Sequence, residues 1–217
     1  MKIPVVSRIL EANERLAQEN RALFRQRKVF VLNVMSSPGA GKTSLLEATI
    51  RALRGRVRVG VLEGDIQGSR DAERIGALGV PVVQLNTGGA CHLDASMVRQ
   101  GVEGLPLEEL DLLFIENVGN LVCPAEFDVG EHMKCMLLSI TEGEDKPLKY
   151  PLMFQASEVL LLNKMDLRPH LDVDVERLRE DVLSLNPSIR IFEVSATKGQ
   201  GIAEWAEWLL GRLKAHS

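Results

Sequence analysis

The chain has 217 residues, 45% hydrophobic and 26% charged, a balance that suits one α/β domain with a core of its own. With 26 basic residues against 30 acidic ones and a formal net charge of -4, it lacks the basic excess of a general nucleic-acid or anionic-membrane binder. Charges enter MKIPVVSRILEANERL too early for a signal-peptide core, and no apolar run approaches the roughly 20 residues of a membrane span. A cytoplasmic protein is expected, whose three cysteines are thiols or metal ligands rather than disulfides.

Residues 4–27 read as one helix. Apolar residues recur at Ile9, Leu16 and Leu23, with a parallel row at Leu10, Ala17 and Phe24, a narrow seam that can dock onto the protein's own core or onto another helix. From residue 28 the pattern changes to short apolar runs at Val29–Met35, Val57–Leu62, Val80–Leu85, Leu112–Ile115, Val159–Leu162 and Ile189–Val194. Amphipathic stretches such as Ser44–Leu53 and Val173–Leu185 lie between them, and Gly201–Leu213 closes the chain as a helix. Met133–Ile140 can be one more strand. The alternation predicts an α/β fold, a parallel sheet covered by helices on both faces. The expected organisation is an N-terminal helix over 1–27 and a nucleotide-binding domain over 28–217 with a metal site embedded in it. Thr141–Pro151 (TEGEDKPLKYP) is expected to be an exposed loop.

Ser36-Ser37-Pro38-Gly39-Ala40-Gly41-Lys42-Thr43 follows the first strand and opens a helix, the setting a phosphate-binding loop requires. Gly39, Ala40, Gly41 and Ser44 bring backbone N–H groups to the phosphates at a helix N-terminus, Lys42 adds a point charge, and the Thr43 hydroxyl suits a magnesium ion. Ser36 stands where the first glycine of such loops usually does. Asn163-Lys164-Met165-Asp166 follows the strand Val159–Leu162. A carboxylate at Asp166 can accept from both N1–H and the exocyclic amine of guanine, whereas adenine would leave it unpaired. The motif therefore points to GTP and GDP rather than ATP. The stretch resembles the guanine-recognition motif of GTP-binding proteins, in which Lys164 would lie against the base and Asn163 would tie the motif to the phosphate loop, and Ser195-Ala196-Thr197 after Val194 is similar to the second base-contacting loop of those proteins. Asp65 and Glu116 sit at strand ends, where ligands gather in open parallel sheets. Asp65 can hold a magnesium-bound water or orient the attacking water. Glu116, a candidate magnesium ligand, opens Glu116-Asn117-Val118-Gly119, which resembles the carboxylate-x-x-glycine switch in which the glycine N–H can reach a γ-phosphate.

Cys91 and His92 are adjacent, and Cys123 lies just past the switch. Two thiolates and an imidazole suit zinc, nickel or copper and not magnesium or calcium. They fall one ligand short of a closed tetrahedral site, a place that water, a partner or a second copy of the chain can fill. Cys135 is expected to be packed in a strand and His132 to be a surface histidine, with His170 and His216 uninvolved.

The segments SSPGAGKTS, EGD at 63–65, LNTGGACHLDA at 85–95, ENVGN at 116–120, EGEDKPLKYP at 142–151 and NKMD at 163–166 together resemble the hydrogenase-maturation GTPases that assist nickel insertion. The resemblance runs across nearly the whole chain. It implies a P-loop three-layer sandwich, a homodimer favoured by GTP, and a nickel or zinc site made from Cys91, His92 and Cys123 near the subunit interface. It also implies a small zinc-containing nickel chaperone as partner and the large subunit of a nickel–iron hydrogenase as client. Many members carry cysteines or a histidine-rich stretch at the N-terminus, and here no Cys or His precedes Cys91. The alternatives are the related urease-accessory GTPase, a plain regulatory GTPase switch with structural cysteines, and a P-loop kinase. Without an assignable arginine finger or glutamine, turnover is expected to be slow unless a partner accelerates it.

Overall fold

In the computed structural model, which describes residues 4–65, 68 and 70–216 with side chains from residue 10 onward, seven strands form one parallel sheet in the order β3-β2-β4-β1-β5-β6-β7. The strands are β1 (Phe30–Ser36), β2 (Val59–Asp65), β3 (Val82–Asn86), β4 (Leu112–Glu116), β5 (Met133–Ser139), β6 (Val159–Asn163) and β7 (Arg190–Glu193). Strand side chains alternate between faces with a period of two. On one face Leu32, Phe114, Leu137 and Leu161 pack under α2 (Lys42–Leu53) and α9 (Ile202–His216). On the other, Val31, Leu113 and Ile115 pack with Phe24 and Val98 of α1 (Pro4–Arg27) and α4 (Ala95–Val102). Further along that face Met136, Leu138 and Leu160 meet α7 (Pro151–Ala156) and α8 (Val175–Leu185). This is the three-layer arrangement expected from the alternating pattern. Trp205 of α9 is fully buried and its indole N–H donates to Thr49 Oγ1 of α2 at 3.1 Å, so the last helix locks the phosphate-loop helix to the sheet.

Several elements differ from their expected forms. β2 starts at Val59, not Val57, because Arg56 and Val57 donate back to Leu53 O and complete the α2 end turn; the strand then runs on through Glu63 and Asp65. Met133–Ser139 is a full central strand between β1 and β6. The 141–151 segment is exposed over much of its length, as expected, but it is not irregular: a turn capped by Ser139 leads into it, α6 (Lys146–Lys149) follows, and Pro147 is buried. On α1, Leu10 is exposed, Leu16 and Leu23 are half-buried, and the buried row is Ala17, Asn20 and Phe24; the side chain of Ile9 lies outside the described residues. His132 is no surface histidine. It stacks on Phe30 with ring centroids 5.4 Å apart, accepts from the Val31 N–H through Nδ1, and meets His216 edge-on. Burial holds its pKa down to about 4. Cys135 is fully buried, and burial pushes its thiol pKa far up.

Candidate functional site

Because every strand runs the same way, the loops after β1, β2, β4, β6 and the β7 edge gather at one end of the sheet, the end where parallel α/β sheets bind ligands. The loop after β1 turns into α2 at Gly41, which has φ +101°. A Cβ there would lie 2.7 Å from the Asn163 carboxamide, so both conformation and space call for glycine. Asn163 donates to Ala40 O at 2.9 Å and accepts from the Ala196 N–H at 3.1 Å, and Lys164 donates to Gly39 O at 2.9 Å. Three segments far apart in sequence are thereby stitched into one cradle. Asp166 accepts from Ser195 Oγ at 2.5 Å through Oδ1, which orients its carboxylate. Lys42 donates to Ser36 Oγ at 3.1 Å, so the serine in place of glycine holds the lysine. Burial keeps Lys42 below the ordinary lysine range, against the opposing charges of Glu116, Asp71, Asp65 and Glu142. The Ser37 hydroxyl donates to Glu142, which brings the 141–151 segment onto the phosphate loop.

Thr43 Oγ1 donates to Glu116 Oε1 at 3.0 Å. Glu63, on the neighbouring strand in register with Glu116, is a residue the sequence reading did not single out. Both carboxyls are buried and face α2, and Oε2 of each lacks a hydrogen-bond partner among the described residues. Burial pushes the Glu63 pKa up to about 8, with repulsion from Glu116, Asp71 and Asp65 adding to it. Burial likewise raises Glu116 to about 7 against the pull of Lys42 and Thr43. Buried carboxylate oxygens without partners, beside a hydroxyl and a phosphate loop, form a donor set that fits a hard divalent cation such as Mg2+. Asp65 ends β2 half-exposed at the same edge, and Asp71 of α3 (Arg70–Gly76) adds a charge the sequence reading also passed over.

The loops after β3 and β4 carry the other constellation. Cys91 Sγ lies 3.0 Å from Cys123 Sγ and 3.5 Å from His92 Nδ1. The three ligand atoms lie within 4.8 Å of one another, the one such cluster among the described residues. Phe127 packs on the His92 ring with centroids 4.0 Å apart, and burial lowers the His92 pKa, which favours the neutral imidazole a metal needs. The thiol–thiol contact and burial raise the Cys123 pKa in the absence of metal.

The phosphate loop and the thiol cluster meet in Glu116–Cys123. Gly119 lies against Pro38, where a Cβ would come within 2.9 Å of that residue's backbone. The next residue touches both sites: the Asn120 N–H donates to Ser36 O at 2.8 Å. Its side chain accepts from the Val122 and Cys123 N–H groups at 2.7 and 3.4 Å and donates to Cys123 Sγ at 3.6 Å. Asn120 was visible only as part of ENVGN, and no local pattern marks an asparagine as a bridge.

A family model for the CobW/HypB/UreG nucleotide-binding domain matches residues 30–193. The chain is 54% identical over 201 residues to hydrogenase maturation factor HypB of Escherichia coli K12, an alignment covering 93% of this chain and 69% of that protein. Among solved structures, HypB from Archaeoglobus fulgidus superposes with a TM-score of 0.88 at 37% identity, over 94% of this chain and all of that one. HypB from Helicobacter pylori, solved in complex with nickel, gives 0.90 at 38% identity, over 94% and 96% of the two chains.

Proposed function

This chain belongs to the HypB hydrogenase maturation factors within the CobW/HypB/UreG nucleotide-binding family, and on that premise we propose that it is a GTP-hydrolysing metallochaperone whose nucleotide state governs a nickel site at Cys91, His92 and Cys123. The observation that carries this reading is Asn120, whose backbone is bonded to the phosphate loop and whose side chain is bonded to Cys123. A change at the phosphates that moves Gly119 away from Pro38 pulls on a metal-ligand thiol through one residue. GTP is selected by Asp166, which pairs with the guanine N–H groups, while Ser195 and Ala196 close the base pocket and Asn163 and Lys164 hold it to the phosphate loop. Gly39, Ala40, Gly41 and Ser44 contribute N–H groups, and Lys42 neutralises phosphate charge. Catalysis is positioning and electrostatic stabilisation of the γ-phosphoryl group by Lys42 and the Gly119 N–H, with Asp65 orienting the attacking water. Thr43 and Glu116 would hold Mg2+, with Asp65 reaching it through a water, and the ion would supply charge neutralisation at the phosphates.

Nickel is the cargo, and zinc has the same ligand preference. Three ligands leave a fourth position for water or a partner's group, which suits a site that releases its metal. The GTP-bound form is a homodimer. It receives nickel from, or passes it to, a small zinc-containing chaperone, and the large subunit of a nickel–iron hydrogenase is the final acceptor. Steady-state turnover with GTP and with ATP, combined with nickel titration of wild type and Cys123→Ala, tests the reading. It predicts hydrolysis of GTP only and loss of nickel binding in the variant. Equal turnover of ATP, or unchanged nickel affinity in Cys123→Ala, would overturn it.

A further inference from the structure

Cys91 and His92 sit in the loop that leads into α4, and Cys123 opens a four-residue helical turn after β4, so sheet geometry alone does not fix the gap between these two segments. Two asparagines on one face of α1, seven residues apart, each touch both segments. Asn13 accepts from the Ala95 N–H at 2.9 Å and donates to Asp128 O at 2.8 Å. Asn20, fully buried, donates to Ala95 O at 2.8 Å and to Val129 O at 3.1 Å. Ala95 lies three residues past His92, while Asp128 and Val129 lie five and six past Cys123. The chain turns sharply at Gly130, φ +94°, where a Cβ would strike Asn20 Cβ at 2.6 Å and Ala17 O at 2.7 Å, so the second loop is pressed directly onto the helix. Buried backbone groups are seldom satisfied by distant side chains when a regular ladder is available. Here one helix supplies donors and an acceptor to two segments at once.

We propose that Asn13 and Asn20 are positioning residues of the metal site, a clamp in α1 that sets the distance between Cys91–His92 and Cys123. The proposal rests on the reading of that cluster as the metal site, and its test is chosen to separate the two. The clamp makes α1 more than a helix docked by Ala17 and Phe24: whatever lifts α1 opens the cluster without touching a ligand. Arg21 provides an internal control. It joins α1 to Asp128 at 2.6 Å but makes no such bridge to Ala95 at the start of α4.

The spacing can be read without any metal, from the equilibrium in which the dithiol and oxidised glutathione give the Cys91–Cys123 disulfide and two reduced glutathiones; the buried Cys135 stays out of the exchange. Losing two hydrogen bonds that hold both segments lowers the effective concentration of one thiol at the other by about tenfold in Asn13→Ala, with Asn20→Ala moving it the same way. Arg21→Ala, at a comparable loss of thermal stability, leaves it within about twofold. Nickel affinity and the thiolate–cobalt absorption of a Co2+ titration, a reporter of ligand geometry, shift in Asn13→Ala and not in Arg21→Ala. An unchanged disulfide equilibrium in Asn13→Ala, or an equal fall in Arg21→Ala, overturns the clamp even where nickel binds normally. A disulfide equilibrium that responds as described in a protein that binds no nickel upholds the clamp and overturns the metal reading instead.

Discussion

The nucleotide end and the thiol end of the molecule share the segment Glu116–Cys123 but are built by different means. At the nucleotide end the functional groups stand at strand ends or in the short loops that leave them, with Glu116 closing β4, Asn163 closing β6, Ser195 two residues past β7 and Lys42 opening α2 directly after the β1 loop. The parallel sheet holds these groups in place, and Trp205 and Thr49 lock the helix behind them. At the thiol end, Cys91 and His92 lie in a loop and Cys123 opens a four-residue helical turn, and backbone groups of both segments are satisfied by carboxamides from elsewhere. Asn13 and Asn20 reach in from α1, and Asn117 accepts from the Leu93 N–H at 3.0 Å while donating to Asn33 of β1 at 3.2 Å. A ligand cradle built on strand ends is rigid by construction. One hung on side-chain hydrogen bonds worth about 1 kcal/mol each can be shifted by a modest push, which suits a site that must let its cargo go.

The contrast can be broken most forcefully with Cys123→Ala. Removing one of three ligands should weaken nickel binding on the order of 10³-fold, taking as a guide one ligand's share of the ~10–16 kcal/mol found for structural zinc sites with the same donor types, while GDP affinity stays unchanged by calorimetry. Asp166→Asn is the mirror experiment. It should cost GDP about 10²-fold in affinity through loss of a charged double acceptor, with nickel affinity in the nucleotide-free protein unaltered. If either variant damaged both sites equally, the two ends would not be separately built. Asn120→Ala sharpens the comparison, because it leaves both sets of ligands in place and removes only the side-chain half of the link. Nucleotide–metal coupling, which typically amounts to about 1–3 kcal/mol, should fall by most of its value, measured as the ratio of nickel affinities in two nucleotide states.

The smallest effect is one of pH. Glu63 and Glu116 titrate at about 8 and about 7 in the folded protein against an ordinary value of 4.5. Folding therefore favours their protonated forms. Their contribution to stability is full below pH 4.5 and is lost as pH rises toward 8. Glu63→Gln should flatten that decline in the nucleotide-free protein between pH 5 and 8, because the carboxyl raised furthest no longer gives up a proton there and Glu116 loses a repulsive neighbour. Thermal unfolding across that range, with and without nucleotide and Mg2+, reads it directly.

The same contrast governs what could be read from the chain before its structure. Fold class followed from apolar runs alternating with amphipathic ones, since strands buried on both faces leave continuous apolar signatures. The groups gathered at the nucleotide end were legible because strand-loop-helix context and short motifs fix them locally: Gly41, Lys42, Asn163 and Asp166 were all singled out. Cys91, His92 and Cys123 were legible by chemistry and by their place beside ENVGN. What holds them was not. Asn13 and Asn20 look like solvated positions in a charged helix, because their partners are backbone groups some 75 to 115 residues away in the chain. Glu63 was hidden by the assumption that its strand ended at Leu62, and its importance comes from Glu116 beside it on a strand 50 residues later. The 141–151 segment looked like an irregular loop because Pro, Gly and five charged residues dominate it, and its order comes from partners outside it, Ser37 of the phosphate loop and Ser139 for Glu142 and the Asp174 N–H for Glu144.

Whether nucleotide state sets metal affinity through the segment from Glu116 to Cys123 is decided by measuring nickel affinity against a coloured competing chelator, once with GDP bound and once with a non-hydrolysable GTP analogue. Coupling between two sites is reciprocal, so the account predicts different nickel affinities in the two states, and a difference that collapses in Asn120→Ala. Equal affinities in the two states, with nickel bound at Cys91, His92 and Cys123 in both, would contradict it.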